Sequence, residues 1–302
     1  MDKRNFKIDF LCVGFNKCGT STLDAILREW EKIYLPENQK ETFFVQWYKK
    51  CKNPMKEYQE LYYPNYFNKN YYNRLIGSVE PSYYCKAKDV YECYGNDIKL
   101  IFMIREPIKA TFSMFKMRLR KVHNKKYYEY YKKYDNAEKM FDQYINEFIE
   151  EKEERCFFYD EYFNEYLKYY KKDQIMVIIL EEFIKNPQKI LQDVSDFLNI
   201  KGNLYIDIPK INEGKKISKN YLCAKINYKL YRIETILRNK KPCYISKKFN
   251  RFEKIIYKIT LIKNNTNITQ KQKKILRKIY KNTIIKTSEI ANRNLKDIWY
   301  GE

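Results

Sequence analysis

One histidine, His123, serves a chain of 302 residues, so zinc-site spacing is absent. The eight cysteines form no Cys-x-x-Cys pair and keep no regular spacing. Reduced, mostly buried thiols are the expectation, which suits a cytoplasmic protein. No apolar run approaches the ~20 residues that span a bilayer. The opening stretch MDKRNFKIDFLCVGF passes straight into a predicted strand and leaves no room for a signal peptide. No internal repeat or disordered linker interrupts the chain.

Positive charge is what the sequence has in excess: 60 Lys and Arg against 38 Asp and Glu, a formal +22. The excess is uneven. From Lys201 to Glu302 there are 26 basic and 7 acidic residues, or +19, which leaves only +3 for the first two hundred. Such a C-terminal third is suited to meeting an anion: nucleic acid, an acidic glycan or a lipid surface. The 31 tyrosines accompany equally heavy use of Lys, Asn and Ile, so they read as compositional bias and not as a base-stacking surface.

Three short apolar runs read as strands: DFLCVGF, DIKLIFMIREP and DQIMVIILEEF. Each leads into a helical pattern. STLDAILREWEKI carries Leu23, Ile26, Leu27 and Trp30 on one face, IKATFSMFKMRLRKV follows Pro107, and NPQKILQDVSDFLNI has Pro187 in its first turn. Unbroken apolar strands alternating with helices predict an α/β fold, a central parallel sheet flanked by helices. Between the second and third strands, FYDEYFNEYLKYY predicts a helix with Tyr159, Phe163, Tyr166, Leu167 and Tyr170 facing inward. The last third predicts basic helices whose apolar stripes, such as Ile255, Ile256, Ile259 and Ile262, pack back onto the core.

The first strand ends in GFNKCGTSTL, where Gly14 and Gly19 frame a turn before a helix. That geometry aims backbone N–H groups and a positive dipole end at an anion. A nucleoside-triphosphatase loop places lysine directly after the second glycine. Here Thr20 stands there and the lysine is Lys17, inside the turn, where it can neutralise the oxygen joining phosphate to a transferred group. Thr20, Ser21 and Thr22 add hydroxyls. No Asp that could hold Mg²⁺ follows an apolar strand, so a metal-free transfer from a phosphate-bearing donor fits better than a kinase or NTPase. At the end of the second strand, Arg105 and Ser113 have the spacing to surround a second phosphate.

GFNKCGTSTL resembles the 5′-phosphosulfate loop of sulfotransferases, and KLIFMIREPIKATFSMF resembles their 3′-phosphate motif. The likeness extends through QKETFF, GSVEPSYY, the third strand with its helix, INEGKKISKN and the final helix ending in Trp. It implies a P-loop-like three-layer sandwich in one domain, residues 1–200 forming the α/β core and 201–302 a nucleotide-closing loop and basic helical part. It implies the donor 3′-phosphoadenosine-5′-phosphosulfate (PAPS), without metal. Lys17, Cys18, Gly19, Thr20, Ser21 and Thr22 would hold the 5′-phosphosulfate, Arg105 and Ser113 the 3′-phosphate, and Lys215 and Lys216 would be the cations by which the closing loop meets the nucleotide. Cytosolic small-molecule members use a histidine base, but His123 reads as an exposed basic helix end. Glu41 of QKETFF instead matches the catalytic carboxylate of the carbohydrate-acting branch, with Lys40 beside it. Val79 stands where many relatives have Lys, and Glu80, where they have Ser or Thr, is a candidate second acidic group.

The acceptor implied is a hydroxyl, less readily an amine, of an anionic carbohydrate or glycolipid. The basic third adds the expectation of peripheral contact with an anionic membrane face. The competing non-enzymatic class, a basic nucleic-acid-binding protein, has no accompanying recognition motif.

Overall fold

The apolar run Phe10–Gly14 forms β1, the middle strand of a five-stranded sheet, in a computed structural model that describes residues 6–68, 71, 73–150, 155–201, 216–240 and 247–301. Its neighbours are β3 (Leu75–Val79) and β4 (Lys99–Ile104). β2 (Ile33–Tyr34) and β5 (Ile175–Ile179) form the two edges, and every pairing is parallel. All of β1 and Leu100–Ile104 are buried, the signature of strands covered on both faces. The chain thus adopts the expected P-loop-like α/β fold. Beyond the three expected strands it adds β2 and β3. The first has only two residues, and in the second Gly77 and Ser78 interrupt the apolar run.

The chain divides into two compact units, Met1–Glu106 with Phe158–Ile211 and Asn282–Glu302, and Pro107–Phe157 with Asn212–Lys281. The first holds the sheet. Its helix Thr20–Glu29 buries Leu23, Ile26 and Leu27, and Trp30 follows them into the core. Buried tyrosines here are polar struts. The hydroxyl of Tyr63 donates to Gly77 O at 2.8 Å, that of Tyr166 to Tyr83 O at 2.7 Å, and that of Tyr170 to Gly95 O at 2.9 Å. Each ties a ring to the backbone of another segment while giving the phenol O–H a partner. Tyr159, Phe163, Tyr166 and Tyr170 face inward as expected. Leu167 does not: the helix ends at Tyr166, so Leu167 lies past its last turn and is exposed.

The second unit is largely helical, with helices Pro107–Arg120, Tyr221–Lys240 and Lys247–Thr260 and an antiparallel pair, β6 (Lys216–Ser218) and β7 (Leu261–Lys263). A buried polar chain ties these elements. Thr260 Oγ1 donates to Asn227 Oδ1 at 2.9 Å, Asn227 Nδ2 to Ser218 Oγ at 3.0 Å, and Ser218 Oγ to Leu119 O at 2.7 Å. The expectation that the Ile255–Ile262 stripe packs into the core is overturned: Ile255, Ile259 and Ile262 face outward and Ile256 is half-buried. Helical periodicity shows that a face is apolar, not what covers it. No helix among the described residues is long and apolar enough to cross a membrane.

Gly77 is a point of close approach, since a Cβ there would lie 2.1 Å from the Phe10 ring on the paired strand. Gly77→Ala should therefore overpack the sheet and cost about 1–3 kcal/mol. A lower urea midpoint with an unchanged m-value is the expected result; an unchanged midpoint would contradict the packing described.

Candidate active site

β1 delivers its C-terminal end to the loop Phe15–Gly19, and the helix begins at Thr20. Two residues of this turn have left-handed backbone, Lys17 at φ 67° and Gly19 at φ 93°. Glycine suits this φ, where a side chain would be strained, and a Cβ would also press on the Leu180 methyl at 2.6 Å. The loop is tied down by Phe15 N–H, which donates to Met103 O of β4 at 2.7 Å. Cys18 is turned inward: its buried thiol lies 3.6 Å from the Tyr159 hydroxyl, and its N–H donates to Phe15 O at 3.3 Å. Burial pushes this thiol up to about 12, so it stays protonated.

The end of β4 meets the same loop. Arg105 donates through its guanidinium to Lys17 O at 3.4 Å, joining the two sequence motifs. The Tyr159 hydroxyl fixes the backbone of Arg105 on both sides, donating to its carbonyl at 2.7 Å and accepting from its N–H at 3.3 Å. Behind it, Glu106 N–H donates to Glu181 Oε1 at 3.2 Å, and Trp299 Nε1 donates to Glu181 Oε2 at 3.0 Å. Tyr159 and Glu181 were not foreseen in this role, because inward position alone does not reveal a hydroxyl or carboxylate aimed at a strand end.

Lys40 also reaches the helix start, with Glu41 beside it. The Lys40 ammonium donates to Thr20 Oγ1 and Ser21 Oγ, both at 3.2 Å, and lies 3.8 Å from Glu41 Oε1. Their approach is set by the residues that follow. Thr42 donates to Glu80 Oε1 through its N–H at 2.7 Å and its hydroxyl at 2.6 Å, and Phe43 N–H donates to Glu80 Oε2 at 3.2 Å. Ser78 adds a fourth donor at 2.8 Å. Glu80 is therefore not a second acidic group open to an acceptor: it is fully buried and holds the segment behind Glu41. Phe43, at φ 53°, has the left-handed backbone of a residue held in place by its surroundings.

The other expected residues fall elsewhere. Ser113 is half-buried on the helix Pro107–Arg120 and Lys216 is exposed at the start of β6, both in the second unit. Lys215 lies outside the described residues. His123, expected to be exposed, is half-buried, with Nδ1 3.3 Å from Arg118 Nη1 and its ring 5.0 Å from that of Tyr127. Among the described residues, no three His, Cys, Asp or Glu side chains gather where they could hold a metal ion.

What the first unit presents is a glycine turn, a helix start with two hydroxyls, two lysines, an arginine and a carboxylate. This donor set suits a phosphosulfate. The family model described as sulfotransferase domain matches residues 7–287. The chain belongs to the sulfotransferase family, and as a member it is a PAPS-dependent transferase. Among solved structures it is similar to a sulfotransferase from Alicyclobacillus acidocaldarius, with 17% identity over 97% of this chain and 99% of that one and a TM-score of 0.61. A mouse sulfotransferase, SULT7A1 complexed with PAP, is 13% identical over 95% of this chain and 89% of its own, with a TM-score of 0.42. No curated protein matches.

Burial raises Glu80 from its ordinary 4.5 to about 7, against the pull of its hydrogen bonds from Thr42 and Ser78. The folded chain thus holds this proton to higher pH than the unfolded chain does. The native state binds more protons between those two values, so its stability falls as pH rises from about 4.5 to about 7. Glu80→Gln, which does not titrate, should remove this contribution, seen as a flatter thermal midpoint across that window. Parallel pH profiles for the two proteins would contradict the assignment.

Proposed function

We propose that this chain transfers the sulfuryl group of PAPS to a hydroxyl of a carbohydrate or glycolipid, with Glu41 as general base. The observation that carries this reading is the Lys40 ammonium, which donates to the Thr20 and Ser21 hydroxyls and has Glu41 Oε1 3.8 Å away. A carboxylate beside an ammonium that reaches that helix start supports the reading, since hydroxyl sulfation needs a base near the transferred group. When bound, PAPS supplies a sulfuryl group activated by its link to phosphate. Lys17 neutralises charge on the oxygen of the departing phosphate, an electrostatic stabilisation that grows along the reaction. Thr20, Ser21 and Lys40 orient the transferring end, each as a donor. Glu41 takes the acceptor's proton as the new sulfur–oxygen bond forms and the bond to the phosphate oxygen breaks. The products are a sulfate ester and 3′-phosphoadenosine 5′-phosphate (PAP).

In this reading Arg105 meets the 3′-phosphate, while the parts of Ser113, Lys215 and Lys216 rest on their places in the sequence motifs. The seven described cysteines are all free thiols, which supports a cytoplasmic setting. The positive C-terminal third favours an acceptor that is itself anionic.

Incubation with labelled PAPS and fractionated glycans, glycolipids and small phenols tests the acceptor class. Label should enter a carbohydrate-bearing fraction; label confined to phenols would overturn the reading. On that fraction Glu41→Gln should lose about 10²–10⁴-fold in turnover and keep its affinity for PAP, whereas His123→Ala should change little. A histidine variant that is inactive beside an active glutamate variant would remove Glu41 from the mechanism.

Arg105→Ala should weaken PAP binding by about 2–3 kcal/mol, the loss of a charge-assisted phosphate contact. Adenosine 5′-phosphosulfate, which lacks the 3′-phosphate, should lose less, its loss reflecting only the Lys17 carbonyl that Arg105 also holds. Equal losses for the two ligands would contradict the role given to Arg105.

A further inference from the structure

The second unit turns an apolar stripe outward. On the helix Lys247–Thr260, Phe252, Ile255 and Ile259 fall within about 60° of arc at 3.6 residues per turn. They are 50%, 56% and 61% exposed. Ile262 of β7, directly after that helix, is 51% exposed. Contiguous large apolar side chains left in water mark an interaction surface.

Charge identifies the occupant. Arg251, Lys254 and Lys258 lie along one flank of the stripe, all exposed. The helix's one acidic residue, Glu253, is partly buried with its carboxylate 4.0 Å from Lys121 Nζ. Beside it, the helix Tyr221–Lys240 leaves Ile233 and Ile236 about half exposed, next to an exposed Arg232. A second copy would bring the same positive charge to the contact and be repelled. A polyanionic glycan or nucleic acid would satisfy the lysines but leave the isoleucines in water. Apolar depth beneath negative headgroups satisfies both, as for amphipathic helices that lie in the membrane interface.

We propose that this face docks on an anionic lipid surface, with Phe252, Ile255 and Ile259 entering the interface and Arg251, Lys254 and Lys258 meeting the headgroups. The docking is independent of the transfer reaction, so its test contains no PAPS. The full chain is mixed with vesicles of phosphatidylcholine containing phosphatidylserine, and with vesicles of phosphatidylcholine alone. It should bind the first, and Ile255→Trp should shift its fluorescence to the blue and be quenched by brominated lipid. Ile255→Ser with Ile259→Ser should weaken partitioning by about tenfold or more with an unchanged thermal midpoint. Lys254→Glu with Lys258→Glu should abolish the preference for phosphatidylserine. Three results would overturn the proposal: no binding, binding that the double serine variant leaves intact, or a solution dimer that this variant disperses.

Discussion

A carboxylate buried beyond the reach of water must find its hydrogen bonds in the protein, and at Glu80 three of the four donors come from Thr42 and Phe43. That requirement fixes the chain immediately after Lys40 and Glu41, and so helps bring Lys40, with Glu41 beside it, to the start of the helix at Thr20. Oε1 takes three of these donors and Oε2 takes the Phe43 N–H. Losing the Phe43 contact would leave Oε2 without the bond it has here, in a low-dielectric interior where that costs more than an exposed hydrogen bond contributes. The left-handed backbone of Phe43 persists because these contacts determine it. The segment is held further by Tyr62, whose hydroxyl donates to Thr42 O at 3.2 Å, and by Tyr83, whose hydroxyl accepts from Val45 N–H at 3.2 Å.

A second set of supports works from the other side of the loop. β4 is paired with β1 and β5, so the position of Arg105 follows from the sheet, and Tyr159 then fixes the residue's own backbone. Glu181 and Trp299 brace the next peptide from sequence positions far apart. The loop and the strand end proposed to meet the donor thus both adjoin the central sheet, as stabilisation by fixed charges would require. Few of the supporting groups are themselves aimed at a ligand. They hold the ones proposed to be.

Much of this was legible in the chain itself. β1, β4 and β5 announce themselves as apolar runs because a central parallel strand is covered on both faces. The loop at Lys17 and the Arg105 strand end resemble the phosphate motifs of the family that the chain belongs to. β3 was hidden, because Gly77 must stay small beneath the Phe10 ring and Ser78 serves Glu80. The role of Glu80 was illegible for a related reason: a carboxylate reads as surface or catalytic until its burial and its donors are seen. The isoleucines of the helix Lys247–Thr260 show the limit of periodicity, which reported an apolar face correctly and its burial wrongly. Leu167 fails through a boundary, one residue beyond the end of its helix.

The central claim is that the loop around Lys17 and the Arg105 strand end form one metal-independent nucleotide site. The direct measurement is calorimetric titration of the full chain with PAP, once in excess EDTA and once with Mg²⁺. One nucleotide per chain, bound equally in both buffers and markedly more weakly by Lys17→Ala, is the predicted result. No binding, or binding that appears only with Mg²⁺, would contradict it.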